Sequence, residues 1–136
     1  VVTARTGIEM IKASPWVGLG PEIVGRDFHR YVPPDIPMPL PDGFYGHLHN
    51  VYLQYGADRG LPTLAMFLWF VGAGLAHMIR TVRSFPAVAH GSLAAMIGIL
   101  TEGFFEFNLN DSEVLSMFLI VVVCSFLVTK QEATPL

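Results

Sequence analysis

Nineteen consecutive residues without a charge, Leu61–Ile79 (LPTLAMFLWFVGAGLAHMI), constrain this chain more than any other feature. About 20 apolar residues in a helix cross the ~30 Å hydrocarbon layer of a bilayer. A soluble domain can hold such a run only as a buried core helix, so the distribution of charge elsewhere decides. Val114–Thr129 (VLSMFLIVVVCSFLVT) is also uncharged, and it reaches spanning length if its helix starts near Ser112. Ala87–Phe105 is weaker, being interrupted by His90 and Glu102. Residues 1–60 hold eleven of the nineteen charged side chains, a clustering that a greasy globular core does not explain. The pattern predicts an all-α membrane protein. Three transmembrane helices, at 61–79, 87–105 and 112–129, follow an extracytoplasmic segment of short helices and loops (residues 1–60) and precede a short tail, 131–136.

Charges in short loops orient the spans, because Lys and Arg near span ends stay on the cytoplasmic side. Arg80 and Arg83 lie in the loop 80–86, Lys130 follows the last span, and Glu106–Glu113 carries three acids and no base. The three agree. The arginine loop and the C-terminus are expected in the cytoplasm, with Glu106–Glu113 and residues 1–60 on the periplasmic face of a bacterial inner membrane. The first residue is Val, and the sequence opens directly in a helical pattern, as expected of the C-terminal piece of a longer membrane protein. A net charge of −3 without a basic stripe argues against a nucleic-acid partner. Cys124 is the sole cysteine, so no internal disulfide forms.

Within residues 1–60, Thr3–Ala13 spaces Ile8, Met10 and Ile11 as an amphipathic helix, which Ser14-Pro15 ends. Trp16–Pro21 reads as a glycine-dependent turn. Residues 33–41 (PPDIPMPLP) hold five prolines and read as an extended strap. Residues 43–60 then read as a short helix broken at Gly60-Leu61-Pro62 just before the first span. The histidines of that stretch therefore belong near the membrane surface.

Several side chains there could do chemistry. A neutral imidazole at His49 could take a proton from a hydroxyl, although a histidine that merely secures a loop looks the same in sequence. His47 and His49 diverge by roughly 200° if both lie on a helix, and no acid stands at helical spacing, so a metal is not expected. Arg5, Arg26, Arg30 and Arg59 share the side of the membrane with His49, and arginine's planar fork suits phosphate, though solvated surface charge explains any one of them equally well. Glu102 and Glu106, four apart, would share a helix face, with Asn108, Asn110 and Asp111 following. Capping of the last helix accounts for two of these without function.

At His49 the sequence acquires a likeness. His49-Asn50, nine residues, Gly60, two residues and Thr63 resembles the spaced motif of bacterial O-antigen ligases. HLHNVYLQYGADRGLP resembles that family's His-x-His-Asn-x-Tyr-Leu-Gln run into Gly-Leu-Pro. Arg5 with its helix and Ser14-Pro15-Trp16-Val17-Gly18-Leu19-Gly20 resembles the upstream pattern, and GFFEFNLNDSEV the polar turn before the last helix. The resemblance implies a fragment of a polytopic GT-C-like fold that transfers a glycan from an undecaprenyl-pyrophosphate carrier to an acceptor hydroxyl, lipid A-core above all, with no cofactor or metal. Carried over residue by residue, it makes His49 the base or a positioning group and Asn50 an orienting residue. It puts Arg5 at the phosphate, less clearly Arg26 and Arg30, and places His47, Gln54 and Arg59 at the substrate, with Glu102, Asn108 and Asn110 in support.

An O-antigen polymerase or a protein O-oligosaccharyltransferase shares the same outline. A non-catalytic carrier or assembly subunit would need polar groups along a path across the bilayer. Glu102 is the one candidate for such a path, whereas the polar groups collect at the outer face.

Overall fold

The computed structural model describes residues 2–81 and 86–131, without the side chains of 86–88 and 128–131. Arg83, Lys130 as a side chain, and the tail beyond Gln131 lie outside this description. The described residues are helices joined by turns, with no strand: α1 (Val2–Ala13), α2 (Ile23–Asp27), a 3-10 turn (Phe28–Tyr31), α3 (Val51–Thr81), α4 (Pro86–Glu102), a second 3-10 turn (Asn108–Asn110) and α5 (Ser112–Gln131). They form two compact units, Val1–Phe67 with Gly103–Phe107, and Leu68–Glu102 with Asn108–Leu136.

The first unit has a core of its own. Met10 of α1, Val24 of α2, Phe28, Leu48 and Ala57 of α3 are buried together, with Ile11, Leu19, Tyr31, Leu40, Tyr45 and Leu53 packed around them. Residues 32–50 are irregular, and Ile36 N–H turns back to the Pro33 carbonyl at 3.0 Å, so the proline strap is folded onto the core and not simply extended. The helix expected over 43–60 begins only at Val51. Asn50 explains the late start: its Oδ1 accepts the Leu53 N–H at 2.9 Å, an N-cap that satisfies an otherwise orphaned donor.

The break at Gly60-Pro62 is a kink inside α3. Gly60 has φ 81°, and Pro62 has no N–H to give to the carbonyl of Asp58. The glycine turn after α1 replaces what the kink removes. Leu19 N–H donates to Ala57 O (2.7 Å), Gly20 N–H to Asp58 O (3.0 Å), and Leu61 N–H to Pro15 O (2.7 Å). A side chain at Gly60 would meet the Trp16 carbonyl at 2.4 Å, so only glycine allows this approach. From Leu61 the helix continues to Thr81, roughly 30 Å at 1.5 Å per residue.

Among the described residues, α3 is the one helix long and apolar enough to cross a bilayer. The expectation of three spans is thus met by one. α4 has 17 residues, at the lower end of what a span takes, and α5 has 20, of which Ser112–Leu127 are the described apolar part. In the second unit Met78, Met96, Ile99, Phe118 and Val122 are buried, whereas Trp69, Ile79, Ile97, Ile120 and Leu127 are exposed. Helices apolar on their outer as well as inner faces suit lipid surroundings. His77 stacks on Phe126 at 4.0 Å, with its Nε2 3.2 Å from the Ser125 carbonyl, which occupies a polar ring within apolar helices.

Candidate functional site

His47, His49 and Asn50 lie in the irregular lead-in to α3, not on it. The 200° divergence of a helix therefore does not apply, and the two imidazoles stand 4.1 Å apart between ring centres. His49 has φ 50°, the left-handed region that a residue with a Cβ enters at a cost of about 1–2 kcal/mol. Such strain persists where surroundings over-determine it. Gln54 supplies part of that: its Oε1 accepts the Leu48 N–H at 2.8 Å, and its Nε2 donates to Asp58 Oδ2 at 2.9 Å, all within buried surroundings.

The segment Gly103–Phe107 comes back against this lead-in. Val51 N–H donates to the Gly103 carbonyl at 2.8 Å, and Asn50 Nδ2 to the Phe104 carbonyl at 3.0 Å. Asn50 thus caps α3 with its oxygen and holds the returning loop with its nitrogen. The loop delivers Glu106. Its Oε2 lies 3.2 Å from His49 Nδ1, and its Oε1 lies 3.5 Å from His47 Nε2 and accepts the Phe107 N–H at 3.0 Å. The Phe107 N–H foremost holds the Glu106 carboxyl below the usual carboxylate range, burial opposes it, and the histidines add to the lowering. Glu106 was weighed in sequence only as a companion of Glu102 on one helix face. α4 ends at Glu102, so the two are not on one helix. Glu106 was not among the expected site residues, and nothing but its place in the polar turn marked it.

His47, His49 and Glu106 bring ligand atoms within 4.8 Å of one another, a set that could hold a metal ion. The same lone pairs are engaged in hydrogen bonds. His49 N–H donates to His47 Nδ1 at 3.2 Å, which places the His47 proton on Nε2, facing Glu106. The arrangement as it stands is an imidazole–carboxylate cluster with the His49 ring one-third exposed.

The arginines lie elsewhere. Arg5 makes a two-pronged ion pair with Asp35 of the strap, at 2.7 and 2.8 Å, which raises the Arg5 pKa and lowers that of Asp35. Arg5 and Arg30 line an open cleft of about 640 Å³ with Lys12, Glu9, Tyr31 and Asp35, and no residue of the His49 motif lines it. Arg26 pairs with its neighbour Asp27, and Arg59 lies over the Tyr55 ring at 5.5 Å. Thr63, the last motif position, returns its hydroxyl to the Arg59 carbonyl. In the second unit Asn108 is buried and donates to the Ile99 carbonyl and to Glu102 Oε2. Asn110 closes the 3-10 turn.

Residues 2–68, which contain every one of these arginines and the His-Asn motif, match the family model described as O-antigen ligase. That segment is similar to the O-antigen ligase family. Glycan transfer of the ligase and polymerase type is the family's activity, and the family is membrane-associated. No curated protein and no solved structure matches the chain. Glu106 lies beyond the matched segment, and folding alone brings it to the motif.

Proposed function

We propose that this chain carries the acceptor-activating part of a multi-pass plasma-membrane enzyme. That enzyme moves a glycan from an undecaprenyl-pyrophosphate carrier to an acceptor hydroxyl, lipid A-core first among acceptors, on the periplasmic face. His49 is the base. The observation that carries this reading is an imidazole, one-third exposed, held in a left-handed backbone conformation at the head of α3. Residues other than glycine are uncommon in this region, histidine being one of the types found there more often than most, and such strained positions cluster at active sites.

The chemistry asks little more of the protein at this point. Carrier pyrophosphate is a good leaving group, and a sugar hydroxyl becomes a competent nucleophile when its proton is taken as it attacks. Arg5, Arg30 and Lys12 share one cleft in which three cations face two carboxylates, a place where a pyrophosphate could compete with Asp35 for the Arg5 fork.

The test is complementation of a ligase-deficient strain with the full-length gene, wild type beside His49→Ala, scored by polysaccharide on lipid A-core. A ladder restored by wild type and not by the inserted, stable variant supports the reading. Failure of inserted wild type redirects the acceptor toward a growing polysaccharide or a protein hydroxyl.

A further inference from the structure

We propose that Glu106 is the positioning residue that makes His49 a base: its carboxylate holds the proton on His49 Nδ1, which leaves Nε2 as the atom that takes the acceptor's proton. This deepens, and rests on, the glycan-transfer reading of His49. Three observations carry it. Glu106 Oε2 lies 3.2 Å from Nδ1. The carboxylate is itself fixed, because its other oxygen accepts the Phe107 N–H at 3.0 Å. The loop that bears it is tied to the head of α3 by Val51 N–H on Gly103 O and by Asn50 Nδ2 on Phe104 O. The second motif residue therefore serves the first by holding in place the loop that supplies its partner.

The remaining ring nitrogen shows where the acceptor belongs. His49 Nε2 lies 3.1 Å from the carbonyl of Phe44, whose side chain is exposed. A carbonyl can only accept, so the contact as it stands takes an N–H from Nε2; in the neutral ring, with Nδ1–H held by Glu106, a lone pair faces that carbonyl instead. An acceptor hydroxyl resolves this by displacing the Phe44 carbonyl and donating to Nε2. As that hydroxyl oxygen attacks the anomeric carbon, its O–H bond breaks and the proton passes to Nε2. The glycosidic C–O bond forms, and the bond from the anomeric carbon to phosphate oxygen breaks with its electron pair leaving on the carrier pyrophosphate. The imidazolium so formed sits against the Glu106 carboxylate and returns its proton to solvent. A carboxylate behind a histidine fixes tautomer and ring orientation in this way without being protonated itself.

Glu106→Gln separates positioning from packing. Phe107 N–H retains the amide oxygen of the glutamine, so the NH₂ group faces His49 Nδ1 and forces the ring proton onto Nε2. The experiment uses the full-length enzyme in lipid nanodiscs with ¹⁵N-labelled histidine, the His49 signals being assigned by their loss in His49→Ala. In Glu106→Gln the ring signals are expected to change from the Nδ1–H to the Nε2–H tautomer. kcat is expected to fall about 10²–10⁴-fold, the range for a lost general base, with KM for donor and acceptor near wild type. A wild-type rate, or a lost rate with unchanged ring signals, overturns the role of Glu106 while His49→Ala still tests the base. Wild-type transfer by His49→Ala overturns the underlying reading, and the pairing with it.

Discussion

His49 and Glu106 are 57 positions apart in the chain, and their side chains meet at 3.2 Å. The meeting depends on Asn50. One amide side chain caps α3 through its oxygen and holds the Phe104 carbonyl through its nitrogen, so the helix start and the returning loop are fixed by the same residue.

That double use makes Asn50 separable by substitution. Asn50→Ala is expected to lower stability by about 1 kcal/mol through loss of the cap. Asn50→Asp keeps the capping oxygen but turns an acceptor toward the Phe104 carbonyl. It should leave the melting temperature closer to wild type while transfer falls as far as in the alanine variant. Thermal unfolding and transfer rate, measured on the same two full-length variants, check this.

Gln54 is the buried link behind His49. Gln54→Leu removes the acceptor of the Leu48 N–H and the donor to Asp58 Oδ2 together, leaving two buried polar groups unpaired. Each such group costs about 1–3 kcal/mol, so the variant should lose roughly 2 kcal/mol or more. Denaturant unfolding of the full-length protein measures it. A loss of a few tenths would show that water already serves these groups.

Arg5 and Asp35 form an exposed pair, and solvent screening leaves such pairs little weight in stability. Asp35→Asn should therefore leave stability nearly unchanged, yet it frees the Arg5 fork for a phosphate. KM for the lipid pyrophosphate donor is expected to fall in Asp35→Asn and to rise in Arg5→Ala. Unchanged donor KM in both removes Arg5 from the donor site.

Glu106 ties the loop to the histidines only as a carboxylate. Its folded pKa lies below the ordinary value, first through the Phe107 N–H and then through His49, so the contribution is fully present above the ordinary carboxylate range. It is lost as pH falls through the lowered value. The stability difference between wild type and Glu106→Gln should be constant at neutral pH and shrink below the ordinary carboxylate range. Calorimetric scans at stepped pH values would show this, and a difference that persists in strong acid would show that charge is not its source.

Much of the fold could be read from the order of the residues. The helical character of residues 2–13, the need for glycine at Gly18, Gly20 and Gly60, the break at Pro62 and the apolar run after it are local. Each follows from what a backbone can do at one place or from side-chain spacing along one helix. The His-Asn spacing also stands in the sequence, and it coincides with the segment that matches the family model.

What the sequence could not decide is who meets whom. No periodicity relates His49 to Glu106, Asn50 to Phe104, Arg5 to Asp35, or the Trp16–Gly20 turn to the orphaned carbonyls of α3. The start of α3 was itself misplaced for this reason. Residues 43–50 share the spacing of a helix, but the Leu48 and His49 N–H groups find partners in the Gln54 and His47 side chains instead. The sequence by itself determined which residues can bend, cap, cross a bilayer or take a proton, because those are properties of single residues and their near neighbours. Only the tertiary structure decided which carboxylate stands behind the histidine, because distant hydrogen bonds form wherever packing leaves a buried or strained group without a partner.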